Sequence, residues 1–411
     1  MEEKQLRDLT SDFLVPFLAG VQLDSKSRVS TSHDTLVALT NPCTIVFKAE
    51  GKDHYRLALR RSQPFEKVKE ETLTESSVVQ AFVDVVRRMQ KGLSQWYKAD
   101  LRAAFPRRVV AKALCSTKAK EEALLTAIDQ LSEWAGREYE GKAIPAALGF
   151  ISGGPDGIIP FSDICKEDFS AVLSNGYDSL LTLDPQGKFI GHETLNPPNI
   201  PPSFVPQRMS AIAQWATKDR IAIVLNRAGE IMILNNHQLR FTKRSGNWHF
   251  LTHKSILTQM GGPDKKEVRQ AVYETCLDAS FARTGACIGI VTSGHAGQWK
   301  GVVTSPDDYL DVPTSTKAKT IAAIIGSKKF YELDRRLRQE LVAIDGATVV
   351  DHEGRVLAVG AILKISGGSQ GGGRLAAAKA LSSLGLGIKV SQDGGIRGFN
   401  EGKDKPRFQL M

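Results

Sequence analysis

Two stretches of this 411-residue chain have the residue types and spacing to do chemistry: Asp345-Gly346-Ala347, and the run Ser366-Gly367-Gly368-Ser369-Gln370-Gly371-Gly372-Gly373-Arg374 downstream of it. The apolar residues over 341–350 predict a buried strand that carries Asp345. An ionised carboxylate in such a place is costly unless it is paired or holds a metal. Gly346 and Ala347 would let a bulky group approach the backbone closely. In the glycine-rich run, exposed amides and the positive end of a following helix would suit an anion. Arg374 falls in the first turn of that helix, where the dipole disfavours a cation, so a phosphate is a better partner for it than the helix itself. No Gly-Lys-Ser/Thr closes the run, so it is not a Walker A loop. A third element, Ser391-Gln392-Asp393-Gly394-Gly395, follows the last predicted strand, where α/β sheets usually place ligands. Its hydroxyl, amide and carboxylate could read a base or a ribose. Taken singly, each element also has a bland reading: a salt-bridged Asp at a strand bend, a flexible glycine linker, and a polar turn.

The elements that must position these residues read as an α/β unit over 263–411. A helix capped by Asp264 is expected to run to about Arg283, with Val268, Val272, Cys276 and Ala279 on one side. A strand over 287–292, helices over about 317–325 and 328–341, and strands over 342–350 and 355–363 follow, the last two joined by Asp351-His352-Glu353-Gly354. A helix over 374–384 and a strand over 387–390 complete a mixed central sheet flanked by helices.

The rest of the chain reads as two further regions. Residues 1–145 look like an α/β module with strands over 43–47 and 55–59, and a capping box at Thr72 and Glu75. A helix there keeps Val78, Phe82, Val85, Met89, Leu93 and Trp96 on one face, and a second spans about 116–135. Residues 146–262 look like a small β-rich, sensor-like domain. Asn196-Pro197-Pro198-Asn199-Ile200-Pro201-Pro202 is extended because proline excludes helix. Strands are expected over 221–225, 230–234 and 238–242. Domains of 1–145, 146–262 and 263–411 suit a length beyond a single ordinary core.

Composition narrows the class. The chain is 42% hydrophobic and 24% charged, as globular proteins are. No window approaches the roughly 18 apolar residues of a membrane span, and the charged start MEEKQLRDLTSDF lacks a signal-peptide pattern, so a cytoplasmic protein with no membrane partner is expected. Cys43, Cys115, Cys165, Cys276 and Cys287 form no CxxC pair, which argues against a disulfide framework or a zinc site. A net charge of +9 favours anionic partners without separating nucleotides from nucleic acid.

Together, the three elements resemble the catalytic domain of the diadenylate cyclases, the DisA N-terminal or DAC-domain family. There a strand carries Asp-Gly-Ala, a hairpin follows, and a Gly-Thr-Arg-His-Arg-Ala-Ala loop opens a helix ahead of a Ser-Glu-Glu turn. Asp345-Gly346-Ala347 match in full, Arg374 stands at the loop's second arginine, and sixteen residues separate it from Ser391-Gln392-Asp393, as in the family. Gly371, Gly372 and Gly373 replace the family's Thr, Arg and His, and the segment between the aspartate and the loop is shorter. The resemblance covers about residues 266–400. It implies a nucleotidyltransferase that joins two nucleoside triphosphates, with release of pyrophosphate, into a signal such as cyclic di-AMP. It also implies Mg²⁺ or Mn²⁺ held by Asp345, and catalytic roles for Asp345 and Arg374. Nucleotide contacts are implied for Gly346, Ala347, Gly371, Gly372, Gly373, Arg374, Ser391 and Asp393. A homo-oligomer pairing two such domains, an effector protein responsive to the product, and a place in bacterial stress or antiphage signalling are further expectations. The altered loop leaves a non-catalytic nucleotide receptor as the alternative.

Overall fold

The fold is α/β, with mixed sheets flanked by helices. The computed structural model describes residues 3–26, 28–30, 37–38, 43–48, 54–61, 63–65, 73–90, 98–261, 265–365 and 372–411. They divide into two compact units, Met1–Ser203 with Arg208–Ser255 and Phe204–Gln207 with Ile256–Met411.

In the first unit, one hydrophobic core gathers Phe13, Phe47, Phe82, Phe105, Leu148 and Phe241. The boundary expected near Ala146 falls inside this core, because the strand Ala146–Ile151 is buried almost throughout. The three strands expected around 221–242 form, as Arg220–Leu225, Ile231–Asn235 and Gln238–Arg244. They belong to an eight-stranded sheet rather than a separate meander: Ala146–Ile151 pairs antiparallel with Arg220–Leu225 and parallel with Ser179–Leu183. The helix Glu75–Gln90 carries Glu75 in its first turn, buried in a bidentate pair with Arg61 at 2.6 and 2.7 Å. The capping-box partner Thr72 lies outside the described residues, as do Leu93 and Trp96.

The second unit is built on a six-stranded sheet. Its strands are β1 (Ala286–Val291), β2 (Ala347–Asp351), β3 (Val356–Ala361), β4 (Gly385–Val390), β5 (Ile396–Asn400) and β6 (Phe408–Leu410), in the order β3-β2-β1-β4-β5-β6. β1 and β2 run parallel; the other neighbouring pairs of this sheet are antiparallel. β1 (ACIGIV) is buried along its whole length, as an uncharged central strand must be. The helices of this unit that bear on its sheet edge are α1 (Lys266–Ala282), α2 (Thr316–Ile325), α3 (Arg335–Ala343) and α4 (Gly373–Ser382). α4 lays Ala377, Ala378 and Leu381 into a core with Cys287, Val291, Val349 and Phe399. The cap expected for α1, Asp264, is outside the described residues.

Residues 204–207 are tied into this unit by α1 and α3. Arg335 and Asp278 meet in a bidentate pair at 2.7 and 3.0 Å. The same guanidinium donates to the Val205 carbonyl, and the Gln207 N–H donates to Asp278 at 2.8 Å. Both charged side chains are buried, so each depends on these partners.

One expectation fails at the position that matters most. The segment 341–350 is not a single strand: α3 runs through Ala343, a bend occupies 344–346, and β2 starts only at Ala347. Leu341 and Val342 are buried as the inward face of a helix, which a short apolar run cannot distinguish from a strand. Asp345 is therefore exposed in the bend, not buried in a strand.

Candidate nucleotide site

Sheet register determines which residues share an edge. Because β1 and β2 are parallel with Ile288 opposite Thr348, the residues that precede them, Gly285 and Gly346, lie at the same end. β4 runs the other way with Val390 opposite Ala286, so its exit, Ser391, leaves at that end too. β3 places Ala361 opposite Ala347 and exits there through Ile362. Asp345-Gly346-Ala347 and Ser391-Gln392-Asp393 thus flank the start of β1, one strand to either side, at a spacing of about 4.8 Å per strand. This is the N-terminal edge of the parallel pair, whereas the usual ligand edge of an α/β sheet is the C-terminal one.

Arg374 reaches the same edge from α4. Its Nη1 lies 2.5 Å, and its Cζ 3.0 Å, from where a Cβ on Gly285 would sit. A side chain at 285 would displace the guanidinium, and Gly285 also has a φ of +66°. Arg374 is half-buried and has no ion-pair partner among the described residues. Gly372 caps α4 at φ +88° with open space around it, and Gly372 and Gly373 are both exposed. Gly371 lies outside the described residues.

The bend at Asp345 is held by a close backbone crossing. Gly346 has a φ of +108°, and a Cβ there would fall 2.5 Å from the carbonyl carbon of Gly360. Gly360, at φ +60°, sits against Ile344 and the Asp345 carbonyl in return. Lys317, in the first turn of α2, donates to the Gly360 carbonyl at 3.0 Å and pairs with Asp308. Asp308 in turn accepts from the Ile362 N–H at 3.3 Å, so α2 is pinned to this edge. Sequence reading missed the Asp308–Lys317 latch, since neither residue belongs to a motif.

The 391–395 turn is closed by its own hydrogen bonds. Ser391 N–H donates to the Gly395 carbonyl at 2.9 Å, and the Ser391 hydroxyl faces both that carbonyl, at 3.0 Å, and the Asp393 carboxylate. The hydroxyl, followed by the Gly395 N–H, Lys389 and Arg283, holds the Asp393 carboxyl below the usual carboxylate range. From α1, the Ser280 hydroxyl donates to the Gly394 carbonyl at 2.5 Å.

Asp345 is an exposed carboxylate at this edge, and Asp393, also exposed, is engaged by the Ser391 hydroxyl. Being exposed, Asp345 needs no metal to offset burial, contrary to the expectation from the apolar run. No cluster of three or more His, Cys, Asp or Glu that could hold a metal occurs among the described residues. A single carboxylate nevertheless fits Mg²⁺, which is commonly held by one or two carboxylates together with water and substrate phosphates. Among the described residues no helix is long and apolar enough to cross a membrane.

No family model matches the chain, and no curated protein matches it. Among solved structures it is similar to DacA from Staphylococcus aureus, in the form of a double mutant, at 17% identity and a TM-score of 0.24, over 34% of this chain and 86% of that one. A likeness at that level leaves the reading of the edge to its own geometry.

Proposed function

We propose that the second unit is the catalytic domain of a metal-dependent nucleotidyltransferase of the diadenylate cyclase type. It would join ATP, or another NTP or dNTP, into a di- or cyclic nucleotide signal with release of pyrophosphate. The observation that carries this reading is the convergence, on one edge around Gly285, of the three elements that resemble the family: Asp345-Gly346-Ala347, Arg374 and the Ser391–Asp393 turn. A carboxylate, a guanidinium, the start of a helix and a hydroxyl-bearing turn are the groups that hold a nucleoside triphosphate.

In this scheme Arg374 and the amides at the start of α4 hold the phosphates, and Ser391 and Asp393 approach the nucleoside. Asp345 holds Mg²⁺ or Mn²⁺ together with the phosphates, and the ion's contribution when bound is to neutralise charge on the reacting phosphoryl group. The protein's share is placement and electrostatics: the 3′-hydroxyl of one nucleotide must lie in line with the α-phosphate of another. Two nucleotides reacting in this way require two such edges to face each other, hence a homo-oligomer. The product would act on an effector protein, in stress or antiphage signalling of a cell whose cytoplasm holds this protein.

The alternative is a receptor that binds the nucleotide without turning it over. What favours it is the sequence Gly371-Gly372-Gly373, which carries no side chain where the family loop carries an arginine and a histidine.

Incubation with each NTP and dNTP plus Mg²⁺ or Mn²⁺, followed by chromatography, tests the reading. New oligonucleotide and pyrophosphate are expected, and Asp345→Asn should lower their formation at least 100-fold without moving the melting temperature, since Asp345 is exposed. Return of intact nucleotide despite measurable binding would establish the receptor instead.

A further inference from the structure

With no counterpart of the family loop's first arginine, Arg374 is the one guanidinium that the loop brings to a polyphosphate. We infer that Arg283, from a different element, supplies the second guanidinium of the triphosphate site. This rests on the nucleotide site proposed above. Arg283 ends α1 two residues before Gly285, the glycine against which Arg374 lies. Its Nη1 reaches the Gln392 carbonyl at 3.4 Å, on the turn that leaves β4. Arg374 lies near the Val390 carbonyl, since the point 2.5 Å from its Nη1 is 3.3 Å from that oxygen. Val390 and Gln392 are two residues apart, so these carbonyls are separated by at most about 7 Å. Both arginines therefore lie by the exit of β4.

Backbone conformation gives a second, independent reason to single out Arg283. It has a φ of +58° and ψ of +25°, the left-handed conformation at a helix C-terminus. Glycine or asparagine is the usual residue there, because a Cβ costs roughly 1 kcal/mol. Non-glycine residues in this conformation cluster at ligand sites, where the side chain has a use that offsets the strain. At Arg283 that use is a guanidinium placed over the 391–395 turn, at the edge where Asp345 and Arg374 already lie. Planar guanidinium forks match phosphate oxygens bidentately, which a glycine loop cannot do.

The test uses the full chain, once in EDTA and once with Mg²⁺, with inorganic tripolyphosphate and with ATP as probes, read by calorimetric titration; an outcome is scored in whichever condition the wild type binds. Arg283→Gly keeps the left-handed backbone at no conformational cost, and Arg283→Lys keeps the charge without the fork. Wild type should bind both probes. Arg283→Gly should weaken both by 10-fold or more, Arg374→Gln by a similar factor, and Arg283→Lys should recover only part of the loss. Binding of adenosine should be unchanged in all of them. If Arg283→Gly binds tripolyphosphate as wild type does while Arg374→Gln is weakened, the role of Arg283 is refuted and the nucleotide site stands. If Arg283→Gly weakens tripolyphosphate while Arg283→Lys restores it fully, the fork is refuted and plain charge is enough. If wild type binds neither probe, both the role of Arg283 and the nucleotide site fall together.

Discussion

Replacing Gly346 by alanine tests whether the backbone crossing at Asp345 is as tight as described. The new Cβ would lie 2.5 Å from the Gly360 carbonyl carbon, 2.8 Å from its oxygen and 2.9 Å from the Ala361 nitrogen, all of them backbone atoms. None of these can rotate away, so β3 must shift or the bend must open. The positive φ of +108° adds a conformational penalty of about 1–2 kcal/mol, and overpacking adds about 1–3 kcal/mol. A destabilisation of roughly 2–5 kcal/mol should lower the melting temperature of the second unit by roughly 4–20 °C, at about 2–4 °C per kcal/mol for a unit of this size. Gly372→Ala is the internal control: its φ is also positive, +88°, but nothing lies within 4 Å. It should cost only the conformational part, about 1 kcal/mol or a few degrees. Calorimetry of the full chain, with hydrogen exchange of the β2 and β3 amides to locate the loosening, measures both. Equal shifts for the two substitutions would show that the crossing contributes nothing and that the site edge is held in some other way.

Two further outcomes concern the first unit. Arg61→Met removes the charged partner of the fully buried Glu75 and should cost about 3–5 kcal/mol in a denaturant titration, whereas Arg61→Met combined with Glu75→Leu should recover most of that loss; a mild single variant would contradict the dependence of Glu75 on Arg61. His253 is buried with its Nε2 2.7 Å from the Leu239 carbonyl, and burial, helped by the charge of Arg240, pushes its pKa down to about 3. The unfolded chain takes up this proton near pH 6.5 and the folded one only near pH 3, so stability present above pH 6.5 is lost progressively as pH falls between the two. His253→Gln should flatten that slope in acid-denaturation curves, and an unchanged slope would assign it to other groups, such as His249, which burial lowers to about 4.

The sequence yielded those parts of the second unit that depend on local pattern. The uncharged apolar run at 286–291, rich in β-branched residues and bounded by Gly285, is the central strand β1; the tight turn at 351–354 joins β2 to β3; and the alanine-rich stretch after Arg374 is α4. What it concealed depends on pairing at a distance. Leu341 and Val342 suit a helix face as well as a strand, so the exposure of Asp345 could not be read. The helix Lys98–Leu114 carries Pro106 in its interior, which hides it from any pattern search. The parallel pairing of Ala146–Ile151 with Ser179–Leu183 leaves no local trace, and for that reason the first unit read as two domains. At the candidate site the motifs were visible, but the register that brings them to one edge was not, and Arg283 belongs to no motif at all.

The polypeptide enters the second unit twice, first for the four residues Phe204–Gln207, whose Val205 carbonyl and Gln207 N–H satisfy Arg335 and Asp278, and then for good from Ile256. A gene fragment starting near codon 256 would encode a body with a missing plug. Two buried charges would face a vacant slot, and the isolated piece should aggregate unless a peptide spanning 204–207 is supplied in trans. A swap of the second unit cut at Ile256 would therefore leave its residues 204–207 behind on the other piece.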